Sequence, residues 1–206
     1  YTADKFATEL EDAAAAFAPE IIEDENVKST LYRDPLGVSA AITPWNFPEL
    51  MPQQCILPSL VAGNTVVFKP AELVPGSAWM LSDIIARAGL PEGVFNLVMG
   101  KGREVGEAIV THPKVSGVTF TGSTPVGRNT GAALFARGAK MQLEMGGKNP
   151  LVVLEDADLD LAVHCALQGS FFSTGQRCTA SSRLIVTDGI HDAFVNRFCV
   201  AMKDLR

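Results

Sequence analysis

Of the four cysteines, only Cys178 lies in a stretch without helical periodicity, Phe172-Ser173-Thr174-Gly175-Gln176-Arg177-Cys178-Thr179. A thiol in such a loop, beside the guanidinium of Arg177, is placed for nucleophilic chemistry, because a neighbouring cation favours the thiolate. Cys55, Cys165 and Cys199 fall within helical patterns and are expected to be buried, inert thiols. No CxxC or CxxH spacing occurs, so no metal site and no disulfide framework is expected, and reduced thiols fit a cytoplasmic protein.

Three other groups could do chemistry. Asn46, in Thr43-Pro44-Trp45-Asn46-Phe47-Pro48, puts a carboxamide at a strand end, where it can serve as an oxyanion donor or simply cap the next helix, with Pro48 in that helix's first turn. Lys69-Pro70-Ala71-Glu72 sets a cation beside a carboxylate, which suits a ribose diol and a phosphate but equally suits a solvated surface pair. The loop Thr121-Gly122-Ser123-Thr124-Pro125-Val126-Gly127 can bring amides to a pyrophosphate, as can Gly100-Lys101-Gly102; either is also an ordinary strand-to-helix connection. His112, His164 and His191 fall on helices or their ends and are read as structural.

These residues follow a regular scaffold. β-rich runs at Val38–Ile42, Thr65–Lys69, Val94–Val98, Val115–Phe120 and Met141–Glu144 alternate with helical stretches at Pro48–Ala62, Ser77–Ala88, Gly102–Thr111 and Thr124–Arg137. Strands separated by crossover-length helices predict an α/β fold with a Rossmann-like parallel sheet, whose ligands bind beyond the carboxyl ends of the strands. After Gly146-Gly147, expected to be a freely turning crossing, a strand at Leu151–Leu154, a helix over Leu159–Phe172, a strand at Arg183–Val186 and a helix from His191 begin a second α/β unit. Ahead of the sheet, Phe6, Leu10, Ala13, Ala14 and Phe17 mark an amphipathic helix ended by Pro19, and 21–33 reads as an exposed strand or hairpin.

The 206 residues, 47% hydrophobic and 19% charged, can bury a sizeable core. A net charge of −6 without a basic run argues against nucleic acid or an anionic membrane as partner. No run of about 18 apolar residues marks a transmembrane helix. Tyr1 is not an initiator methionine, so the natural start and any targeting signal are expected upstream.

In order along the chain, Pro44-Trp45-Asn46-Phe47-Pro48, Lys69-Pro70-Ala71-Glu72, Phe120-Thr121-Gly122-Ser123-Thr124, Glu144-Met145-Gly146-Gly147-Lys148 and Gly175-Gln176-Arg177-Cys178 resemble the motifs of the aldehyde dehydrogenase superfamily. Met145 departs slightly, since leucine is commoner there. The resemblance spans the chain but only the middle of a family member: the later Glu-x-Phe-Gly-Pro segment has no counterpart before Arg206, and a polypeptide ending there is not expected to act alone.

By resemblance, residues 1–143 are the NAD(P)-binding domain, with 19–34 as an oligomerisation strand region, and 144–206 begin the catalytic domain. Cys178 would attack an aldehyde, Asn46 and the Cys178 N–H would hold the oxyanion, and Glu144 would activate water against the thioester. Lys69, Glu72, Trp45, Gly102, Gly122 and Ser123 would line the cofactor groove. Glu72 favours NAD by repelling the 2′-phosphate of NADP, which remains possible. Phe47, Met51, Gln54, Phe172, Arg177 and Thr179 would line the substrate tunnel, Arg177 being suited to a substrate carboxylate or, equally, to an interface or a nearby acid. The motifs are most similar to those of bacterial α-ketoglutaric semialdehyde (2,5-dioxopentanoate) dehydrogenases, with succinic semialdehyde enzymes next. A homodimer or homotetramer is implied. The rival readings are a non-catalytic member of the fold and a thiol hydrolase using Cys178 with a histidine.

Overall fold

The computed structural model describes residues 3–205; Tyr1 and the side chain of Phe6 lie outside what is described. After α1 (Ala3–Ala16), β1 (Glu20–Glu23) and β2 (Lys28–Leu31) form an antiparallel ribbon, Glu20 opposite Leu31. Its turn is closed by the Asp24 carboxylate, which accepts the N–H groups of Asn26 and Val27 at 2.8 Å. Every residue of both strands is exposed, including Ile21, Ile22 and Leu31.

The chain then enters a five-stranded sheet, ordered β5-β4-β3-β6-β7. The strands are β3 (Val38–Ile42), β4 (Thr65–Lys69), β5 (Phe95–Leu97), β6 (Val115–Gly122) and β7 (Lys140–Met145). β3 pairs in parallel with β4 and β6, and β4 with β5, as crossover helices require. Those helices are α2 (Leu50–Val61), α3 (Pro75–Arg87), α4 (Glu107–Thr111) and α5 (Thr124–Ala136). The order reverses between β3 and β6, which makes their carboxyl ends the switch point of a Rossmann-type sheet.

Both faces are buried, because successive strand residues point to opposite sides. Ala40, Ile42, Val118 and Phe120 meet Ile109 and Leu134 on one face. Ala41, Val66 and Phe68 meet Ile56, Ala78, Leu81 and Ile85 on the other. Fully enclosed side chains such as Phe68 and Leu134 each contribute about 1.5–3 kcal/mol through apolar burial.

A second compact unit begins at Met145. Here β8 (Asn149–Val153) lies parallel to β9 (Ser181–Val186), packed by α6 (Leu159–Phe171) and α7 (Asp188–Met202) around Val153, Val163, Ala166 and Phe194. The Asp158 side chain caps α6 by accepting the Leu161 N–H at 3.0 Å.

Several expectations need correction. Helix α2 starts at Leu50, so Pro48 lies in the turn before it. Gly102–Gly106 is a π-helical turn leading into α4 and not part of one α-helix. Neither Gly146 nor Gly147 takes a positive φ, so the crossing does not use the conformation reserved to glycine. Cys165 and Cys199 are exposed: α6 buries the face carrying Val163 and Ala166, α7 the face carrying Phe194, and the two thiols lie on the other sides. Among the described residues no helix is long and apolar enough to cross a membrane, and no group of acidic, His or Cys side chains forms a metal cluster.

Candidate active site

The loop leaving β3 at the switch point carries Trp45 and Asn46. The capping position of α2 is Glu49, which makes no side-chain cap bond, and Asn46 stands half-buried three residues before it. The Met51 N–H donates to the Phe47 carbonyl at 3.2 Å, so helical bonding begins at Phe47 and brings Phe47, Met51 and Gln54 onto successive turns of one face. Phe47 and Met51 are half-buried; Gln54 is exposed.

Glu144, at the end of β7, is exposed. Its charge is nonetheless felt inside the first unit. Burial first, and the Glu144 carboxylate second, push the Cys55 thiol of α2 up to about 11.

Beyond β4 and β5 a groove of about 280 Å³ is lined by Pro70, Ala71, Glu72, Pro75, Met99, Gly100 and Lys101. Lys69 is 4% exposed and its Nζ donates to the Pro70 carbonyl at 2.8 Å. Burial lowers its pKa, partly offset by the Glu72 charge. Lys69 thus braces the turn, while Glu72 and Lys101 present opposite charges on an otherwise apolar slot. Such a slot, with one carboxylate to accept from a diol, fits an adenosine. Trp45 and Ser123 are exposed, as is Gly102 in the π turn. Gly122 has a packing reason as well: a Cβ there would stand 2.6 Å from the Phe120 ring. Pro75 and Met99 were not legible as site residues, because their share in the groove depends on the pairing of β4 with β5.

In the second unit Cys178 is exposed, in the loop between α6 and β9. The approach to it is strained: Ser173 and Thr174 hold φ of 52° and 54°, followed by Gly175 at 70°. For Ser and Thr this left-handed backbone costs on the order of 1–2 kcal/mol each. Arg177 turns back onto α6. Its Nη2 donates to the Gln168 and Gly169 carbonyls at 2.7 and 3.3 Å, and its guanidinium lies 4.9 Å from the centre of the Phe172 ring. A cation on the last carbonyls of a helix is favourable, and among the described residues Arg177 makes no ion pair with an acid. Thr179 and Phe172 are exposed. Asn149, absent from the sequence-based site, donates to the Cys178 and Ala180 carbonyls.

The model of the aldehyde dehydrogenase family matches residues 2–206. The chain belongs to that family. It is 50% identical over 173 residues to the alpha-ketoglutaric semialdehyde dehydrogenase of Bacillus subtilis, covering 84% of this chain and 36% of that protein. It is also 50% identical over 175 residues to human retinaldehyde dehydrogenase 3, covering 84% and 34%. The crystal structure of betaine aldehyde dehydrogenase from Staphylococcus aureus in complex with NAD+ superimposes with a TM-score of 0.91 at 33% identity, over 98% of this chain and 40% of that one. The chain thus spans about a third of the length of the curated relatives it matches.

Proposed function

We propose that this aldehyde dehydrogenase family chain supplies the cofactor groove and the nucleophile of an enzyme that oxidises an aldehyde to its acid with NAD, the aldehyde being a carboxylated semialdehyde such as 2,5-dioxopentanoate. The observation that carries the reading is the exposed thiol of Cys178 in a chain that also holds the Asn46 carboxamide in the loop after β3 and Glu144 with an exposed carboxylate.

Cys178, as thiolate, attacks the aldehyde carbon; the Asn46 carboxamide and the Cys178 N–H donate to the oxyanion that forms. Glu144 takes a proton from the water that hydrolyses the thioester. The slot at Glu72 and Lys101 fits the adenosine of the cofactor, which when bound supplies the hydride acceptor. Glu72 at close range disfavours a 2′-phosphate, which supports NAD over NADP.

The two relatives are equally identical yet named for different aldehydes, so identity does not choose the substrate. The semialdehyde reading is supported by the Bacillus relative, with the Arg177 guanidinium, one residue before Cys178, as the candidate partner of a substrate carboxylate. The test is NADH formation by the full-length enzyme with 2,5-dioxopentanoate, succinic semialdehyde, an aliphatic aldehyde and benzaldehyde, each with NAD and with NADP. A preference for a carboxylated substrate is expected, and Arg177→Leu should raise KM for the semialdehydes about tenfold more than for a neutral aldehyde of equal length. Equal effects would reduce Arg177 to a helix cap. No turnover with any aldehyde, despite bound NAD, would return the chain to a non-catalytic role.

A further inference from the structure

The turn that carries Cys178 is closed by the Ala180 N–H, which donates to the Arg177 carbonyl at 3.1 Å, so Cys178 and Thr179 are its two central residues. In a trans peptide the carbonyl and N–H point in opposite directions. The Arg177 carbonyl is turned inward to Ala180, and the Cys178 N–H is therefore turned outward. Among the described residues that N–H has no acceptor. The weak point of any such turn is its central peptide, which can flip. Here its carbonyl is that of Cys178, and it is held: Asn149, on the first residue of β8, donates from one Nδ2 to the Cys178 carbonyl at 2.6 Å and to the Ala180 carbonyl at 3.1 Å. Thr179 keeps a negative φ, as the unflipped turn requires. The seat for this amide is close-fitting, since a Cβ on Gly147 would stand 3.2 Å from Asn149 Oδ1.

We propose that Asn149 is a positioning residue for Cys178: its bridge between the Cys178 and Ala180 carbonyls holds the turn's central peptide, and so fixes the backbone that carries the Cys178 thiol. The inference rests on the reading of Cys178 as nucleophile. Asn149→Ala removes the bridge, and Asn149→Asp replaces its donor with oxygens facing two carbonyls. In the full-length enzyme both should lower kcat about 10- to 100-fold with NAD affinity unchanged. Without substrate or cofactor, the pH profile of Cys178 alkylation by iodoacetamide, followed by peptide mapping, should shift in the same variants. Gly147→Ala, which only crowds Oδ1, should shift it in the same direction by less. Wild-type kcat and alkylation profiles in folded Asn149 variants would overturn the proposal, as would a loss of kcat that tracks thermal unfolding while the alkylation profile stays fixed. If Cys178→Ala itself still oxidised aldehydes, the nucleophile reading would fall, while the alkylation profile would still decide whether Asn149 orders the turn.

Discussion

Cys55 and Cys178 show how placement sorts side chains of one type. The Cys55 thiol lies against α2's buried side within reach of the Glu144 charge and is held protonated up to about 11, whereas Cys178 stands open at a turn. For Cys55 the ordinary value is 9.0, so between about pH 9 and 11 the unfolded chain gives up its proton first and the folded state loses stability as pH rises. Two pKa units correspond to about 2–3 kcal/mol. Urea melts at about pH 8 and pH 10.5 should show that loss in the parent and a flatter dependence in Cys55→Ala; equal slopes in both would mean that another group titrates. At this scale the legible residues were those whose loop position is visible in the pattern, Asn46 and Cys178 among them. The partners of Arg177 and the reach of Asn149 were not, because both join positions brought together only when α6, β8 and β9 assemble.

Strands were the easiest elements to read. Thr65–Lys69 and Val38–Ile42 are β-branched or small-residue runs bounded by Gly and Pro, and both fall where the pattern puts them. Helix starts were harder: α2 begins two residues after Pro48 and then tolerates Pro58 in its interior, since buried packing of Pro52 and Ile56 outweighs local preference. The π turn at Gly102 and the left-handed pair at Ser173 and Thr174 have no signature in composition, because tertiary contacts impose them. The groove beyond β4 and β5 yields an element-level prediction. Glu72→Gln removes the charge that opposes a 2′-phosphate while leaving Lys101 in place, so the NAD over NADP preference in kcat/KM should fall about tenfold, at about 1.4 kcal/mol, with kcat on NAD little changed. An unchanged preference would place the ribose elsewhere.

At the scale of the molecule, a ribbon with Ile21, Ile22, Leu31 and Tyr32 exposed is an apolar edge that a single copy leaves in water. We propose that a homodimer or homotetramer of the full-length enzyme covers that edge. Sedimentation equilibrium of the full-length enzyme should then give a multiple of the chain mass, reduced in Ile22→Asp; a parent that sediments as one chain would contradict the assembly. The α/β architecture was legible throughout because crossover-length helices between β-rich runs allow few other topologies. The proposed reaction depends on one covalent bond. Glu144→Gln should stop the reaction after the thioester forms, so the full-length variant mixed with NAD and 2,5-dioxopentanoate, or whichever aldehyde the parent turns over, should gain the mass of one acyl group, mapped to the peptide containing Cys178. An adduct on Cys55, Cys165 or Cys199, or full turnover with no adduct on any thiol, would contradict it.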